Sequence, residues 1–224
     1  EDITPPTVSG FSPTDDASDV AVGTDLVITF SEVVVAQTGD IRIRESSGGA
    51  VFETIAVGDV SGSGTNTITI DPVGTLSGET GYYIEIDASA FDDESGNSYA
   101  GIADNSTWNF TTADVDAPTV VTYTPTDDAT DVAVDADLVL TFSEDVTAET
   151  GDIRIRLTGT DGLFETIPVS NVTGSGTSTI TIDPSGTFDG ETGYYVEIDA
   201  GGFDDLSSNP YAGIADKTTW SFTS

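Results

Sequence analysis

The chain has 224 residues with 40 acids against 5 bases, and contains no His, Cys or Met. A formal charge of −35 excludes nucleic acid as a partner, because phosphate contacts need Lys and Arg, and it sets the chain against an anionic membrane surface. The missing residue types exclude disulfides, thiolate nucleophiles, imidazole catalysis and Cys- or His-ligated metals.

Apolar residues still make up 37% and recur in alternating runs that can bury a core. No apolar run reaches the roughly 18 residues of a membrane-spanning helix, so no membrane insertion is expected. No basic-then-apolar leader opens the sequence, which reads as a mature secreted protein or a piece of a larger chain.

One unit is written twice. PTDDASDVAV from Pro13 returns as PTDDATDVAV from Pro125, and GETGYYIEIDA from Gly78 as GETGYYVEIDA from Gly190. The offset is 112 each time (125 − 13, 190 − 78), half of 224, and the copies align without a gap. A period of this length is the size of a domain, not of a solenoid repeat. The chain divides into residues 1–112 and 113–224, joined at TTADVDAPT, where Pro118 cannot continue a central strand.

Within the first repeat the strands follow in order. Leu26, Ile28 and Phe30 oppose Val27 and Thr29, and Ile41 and Ile43 oppose Arg42 and Arg44. Ile68 and Ile70 oppose Thr67 and Thr69, and Tyr82, Ile84 and Ile86 oppose Tyr83, Glu85 and Asp87. Trp108 and Phe110 close the series on the inward face. This period of two marks half-buried strands, and no stripe of 3.6-residue period lasts three turns, so no helix is predicted.

The expected fold is all-β: two tandem immunoglobulin-like β-sandwich domains of about seven strands each. Tyr82 and Tyr194, each following a GET step, read as tyrosine corners whose hydroxyls anchor the preceding turn. Arg42 and Arg44 should face the Tyr83–Glu85–Asp87 strand, with ion pairs across it and a guanidinium over the Tyr83 ring.

Several motifs go further. D-x-x-x-P opens each repeat, at Asp2 and Asp114. A strand ends in F-S-E, at Phe30–Glu32 and Phe142–Glu144, and D-x-x-G-N follows at Asp93–Asn97, matched by Asp205–Asn209. W-x-F-T-T closes at Trp108–Thr112 and Trp220–Ser224. Together they resemble the bacterial Ig-like domain of the S-layer-protein (SbsA) type over nearly all of each repeat. The second copy departs at Ser208, in place of the loop glycine, and at Ser224. The resemblance implies a spacer or building block of S-layers, adhesins or multidomain secreted proteins, extracellular on a bacterial surface. Its partners would be neighbouring Ig-like repeats of the same or an identical chain.

Asp outnumbers Glu 28 to 12, and the short Asp stem suits both turns and compact oxygen cages. Sandwich topology sends the chain entry and two interstrand loops to one pole. That gathers Asp2, Glu32, Asp92, Asp93 and Asn97 in the first repeat. In the second it gathers Asp114, Asp116, Glu144, Asp204, Asp205 and Asn209. These are the candidate metal ligands, with Ca²⁺ the expected cofactor and a stiffened joint between Thr112 and Pro118 the expected effect. Neither an EF-hand loop nor an RTX nonapeptide occurs. The competing reading is solvated turn acids, and it is preferred for Asp15, Asp16, Asp19 and their counterparts. A high-salt habitat would also account for an acidic surface with Lys217 as the single lysine.

No residue is proposed as catalytic, since with 40 acids carboxylate pairs arise by chance. Tyr83, Tyr99, Tyr195 and Tyr211 offer a sugar-stacking platform, which keeps a carbohydrate-binding accessory module as a rival. A self-assembling extracellular filament joined through an unpaired strand edge is the other.

Overall fold

Strand β3 (Leu26–Ala36) shows how the alternation becomes architecture. Leu26, Ile28 and Phe30 are fully buried while Val27 and Thr29 face outward. On one side β3 pairs with β1 (Val8–Ser12) and on the other with β6 (Thr65–Ile70), and its far end pairs with β8 (Phe91–Asp93). The facing sheet runs β2 (Ala17–Val20), β9 (Asn109–Thr112), β7 (Gly81–Ile86), β4 (Asp40–Glu45), β5 (Val51–Ala56). Between the sheets lies one apolar core that includes Ile41, Ile68, Ile84, Trp108 and Phe110.

The structure, a computed structural model, describes residues 2–224, and the chain forms two compact units, Glu1–Asp114 and Val115–Ser224. The second unit repeats the plan, except that in place of β2 it has only a single bridge between Ala129 and Phe222. β10 (Val120–Thr124), β11 (Leu138–Ala148) and β14 (Thr177–Ile182) form one sheet with β16 (Phe203–Asp205). β13 (Leu163–Pro168), β12 (Asp152–Leu157), β15 (Gly193–Ile198) and β17 (Ser221–Thr223) form the other. Its core is equivalent, around Leu140, Ile155, Tyr194, Trp220 and Phe222.

The tyrosine corners form as expected: Ser77 N–H donates to Tyr82 Oη at 3.0 Å and Asp189 N–H to Tyr194 Oη at 2.8 Å. Trp108 Nε1 and Trp220 Nε1 donate to the carbonyls of Pro13 and Pro125, so each buried indole keeps its polar end satisfied.

Three features differ from the sequence reading. The short strands β8 and β16 are additional. Three residues are too few to show a period, and Asp is a poor strand former. Arg44 lies opposite Tyr83 in register, yet its guanidinium goes to Glu85 at 2.7 Å and to the Gly49 carbonyl at 2.9 Å, and no stacking over the ring forms. The tyrosine platform is not a surface: Tyr99, Tyr195 and Tyr211 are 4–7% exposed, and Tyr99 meets Phe30 edge-on in the core at 5.1 Å. The second tyrosine of each GYY pair points outward in the sequence pattern, but at Tyr195 neighbouring side chains cover the ring.

Candidate functional site

The candidate metal site of the first repeat is assembled by a break in β3. Its pairing with β6 shifts register between Thr29 and Val34, and this bulge contains the F-S-E motif. A bulge re-aims side chains, and here it frees Glu32 from the alternation of the strand. Ser31 ties the chain entry to the same point: its N–H donates to the Thr7 carbonyl at 2.7 Å, and its Oγ accepts from Thr7 N–H at 3.1 Å. The clamp brings the opening segment alongside the bulge. Sequence reasoning passed over Ser31, although the middle position of a repeated F-S-E was a usable signal. Ser143 makes the same side-chain contact with Thr119 in the second repeat.

The third element is the D-x-x-G-N loop. Asp93 is only 5% exposed and serves as its hub. Its Oδ1 accepts from Ser95 N–H and Asn97 N–H at 2.8 and 2.7 Å, and its Oδ2 accepts from Asn97 Nδ2 at 2.7 Å. Gly96 supplies the left-handed turn at φ 87°. Ser208 adopts φ 69° at the corresponding place, so the second repeat keeps the loop at a modest backbone cost. There Asp205, 3% exposed, accepts from Ser207 N–H, Asn209 N–H and Asn209 Nδ2 at 2.7–2.8 Å.

Asp2, Glu32 and Asp93 each present a carboxylate oxygen, and the three oxygens lie within 4.8 Å of one another. Asn97 spans the cluster, donating from Nδ2 to the Asp2 carbonyl at 3.2 Å as well as to Asp93. Among the described residues no Arg or Lys forms an ion pair with these three acids. The electrostatics follow. Burial, then Asp2 and Asp93, push the Glu32 carboxyl above its ordinary range. The Asn97 side chain, with the loop amides, holds Asp93 below its own. Hard, anionic oxygens crowded with no basic side chain beside them form a donor set that fits Ca²⁺. Within the second unit, Glu144 and Asp205 offer carboxylate oxygens within the same 4.8 Å.

Asp92 and Asp204 lie outside these groups. Asp92 and Asp204 neighbour Asp93 and Asp205 in β8 and β16, so strand alternation turns them to the opposite face. Burial, with Glu149 and Asp205 nearby, raises the Asp204 carboxyl. Asp114 ends the first unit and Asp116 lies just inside the second. By the 112-residue offset, Asp114 occupies in its repeat the place of Asp2. Asp15 and Asp127 have structural work: Asp15 Oδ1 accepts from Asn109 N–H at 3.0 Å and Asp127 Oδ1 from Ser221 N–H at 2.9 Å, fastening a turn to the last strand.

No curated protein matches the chain. Among solved structures it resembles the titin I-band fragment I67–I69 at 7% identity, with a TM-score of 0.39, covering 99% of this chain and 65% of that one. It also resembles the BSP domain of a biofilm-associated protein at 16% identity, TM-score 0.21, covering 95% of this chain and 29% of that one. A third is the S-layer protein rSbsC(31–844) at 14% identity, TM-score 0.33, covering 92% and 33%. The chain therefore spans less than two thirds of each of these structures. The family model described as the bacterial Ig-like domain matches residues 2–112 and again 114–224. With both sandwiches covered nearly end to end, the chain belongs to the bacterial Ig-like domain family, in two tandem copies.

Proposed function

We propose that the two domains act as a non-catalytic spacer or building block in an extracellular bacterial surface protein, such as an adhesin or an S-layer-like assembly of the SbsA kind, and that Ca²⁺ stabilises them. Support for the mechanical role comes from the two tandem matches to the bacterial Ig-like domain, over residues 2–112 and 114–224. Partners in this reading are further Ig-like repeats of the same or an identical chain. The calcium reading is carried by the oxygens of Asp2, Glu32 and Asp93, gathered within 4.8 Å with no basic side chain among them.

Bound Ca²⁺ would supply the countercharge that the fold omits, and each residue would have a separate part. Asp93 orders the loop, the β3 bulge aims Glu32, and Asn97 links the loop to the chain entry at Asp2. In the second repeat Glu144, Asp205 and Asn209 would play the same parts, with Asp114 by its offset and Asp116 as the added linker acid. Asp92 and Asp204 would influence the site through charge rather than as direct ligands.

Thermal melting tests this. The chelated protein is compared with the calcium-loaded protein at equal ionic strength. An ion at about one hundred times its dissociation constant adds ~2.7 kcal/mol, which for domains of this size corresponds to a Tm increase on the order of 10 °C. The Asp93→Ala, Asp205→Ala double variant should lose the increase. An unchanged Tm in the parent protein would overturn the calcium reading and leave the family assignment standing.

A further inference from the structure

Each sandwich carries a small trough on the outer side of its β4–β7 or β12–β15 sheet, of about 220 Å³ in the first repeat and 270 Å³ in the second. One wall is Arg42, with Glu85 and Asp87 beside it. The other is formed by Ala100 and Ala103 of the segment that bridges to β7 through Ile86 and Ile102, and Ala88 closes the end. Every one of the eight lining positions holds the same residue in both repeats.

Overall the copies agree at 72 of 112 positions, and several exposed positions close in sequence differ (Glu94 corresponds to Leu206, Ser98 to Pro210 and Asn105 to Lys217), while Ser95 and Asp104 are kept. Ala88, Ala100 and Ala103 are themselves exposed, as are Ala200, Ala212 and Ala215. Folding places little demand on exposed side chains, and substitutions there usually cost within ±0.5 kcal/mol. Small residues kept at all six exposed positions hold the trough open.

The chemistry of the walls defines the ligand. Arg42 donates to Asp87 at 2.6 Å and to Asp40 at 3.0 Å, which leaves guanidinium N–H groups unused, since the fork carries five donors. The carboxylates of Glu85 and Asp87 retain lone pairs beside it. Donors and acceptors thus alternate along one wall while alanine methyls line the other. Arg42 against Glu85 and Asp87 leaves the lining one charge negative, which disfavours an anion, and the guanidinium already takes the place beside the carboxylates that a cation would need. A ring with adjacent hydroxyls on its edge and C–H groups on its face satisfies both walls, and the volume suits one such ring rather than a drug-sized molecule.

We propose that these paired troughs bind single rings of a neutral polysaccharide, one per repeat. Each site would be weak, and each repeat would carry its own. This locates glycan recognition away from the tyrosines, whose rings are largely taken into the core.

The test is titration of the intact two-domain chain with neutral cello-, malto-, manno- and xylo-oligosaccharides, read by the NMR methyl shifts of alanine. At least one series should move the Ala88, Ala100 and Ala103 methyls and their second-repeat counterparts. The Ala100→Trp, Ala212→Trp variant, which fills both troughs, should abolish those shifts with its Tm intact. If that variant fails to fold, Ala103→Gln, Ala215→Gln narrows the troughs with less bulk and should weaken binding at least tenfold. Absence of shifts with all four series, or shifts that persist in the filled protein, would overturn the proposal.

Discussion

Two acidic regions of the same sandwich solve the same electrostatic problem in opposite ways. On the β4–β7 face, Asp40, Glu85 and Asp87 sit with Arg42 and Arg44, and the guanidinium of Arg42 holds the Asp87 carboxyl below its ordinary range. At the pole, Asp2, Glu32 and Asp93 sit together without a basic side chain, and Glu32 is pushed upward instead. Four of the five bases of the chain are spent on the first kind of region, in both repeats. A formal charge of −35 is therefore not a uniform coat. It includes acids with a guanidinium beside them and acids gathered at the pole with none.

The largest way to break this contrast is Asp93→Ala. That change removes the hub that accepts from Ser95, Asn97 N–H and Asn97 Nδ2, and leaves those donors to find new partners. The first repeat should melt several degrees lower even in chelator, and it should stop responding to calcium while the second repeat still responds. Differential scanning calorimetry, which resolves the two domains when their transitions separate, checks both outcomes.

Acidity sharpens the contrast further. Glu32 has a raised folded-state pKa, so its protonation stabilises the fold. That contribution is full below the unfolded value of 4.5 and disappears as pH rises through the folded value. Asp87 is lowered, so its contribution is present above 3.8 and is lost as pH falls through its folded value. In chelator, Tm should rise as pH is brought from neutral toward 4.5 and fall again below 3.8. Saturating calcium should flatten the rise, because the bound ion replaces the proton. General relief of self-repulsion contributes to the same rise, and Glu32→Gln separates the two. That variant should start with a higher metal-free Tm near neutral pH, show a shallower slope, and gain less from calcium.

Most of the fold was legible because burial and strand period coincide. Ile41, Ile43, Ile84 and Ile86 alternate in sequence and are all buried in the structure. The polar anchors at Tyr82 and Tyr194 were equally visible, since a tyrosine after a tight turn has few other places for its hydroxyl. The pole was legible only by region. Sandwich topology indicated which loops meet, yet it could not tell Asp93 from Asp92, because that choice depends on which face of a three-residue strand each side chain takes. The β3 bulge was invisible for a related reason: Ser31 and Glu32 read as the polar end of a strand, and only the register shift against β6 shows that the strand continues past them. Tyr195 misled because period two predicts direction and says nothing of what covers the outward face.

The smallest effect tests the compensated side. Arg42→Ala removes a guanidinium whose side chain is 26% exposed, paired with acids that are themselves about 40% exposed. Pairs in that setting contribute about 0–1 kcal/mol each, weakened by salt. The variant should lose no more than a few degrees in Tm at low salt and less at high salt, and it should respond to calcium as the parent does. Among the described residues the two regions share no residue and no hydrogen-bonded neighbour, so their effects should add when Arg42→Ala is combined with Glu32→Gln. A clear departure from additivity, measured by a double-variant cycle in chelator, would show that the pole draws on the arginines at a distance, and the division of the charge into two independent kinds would then fail.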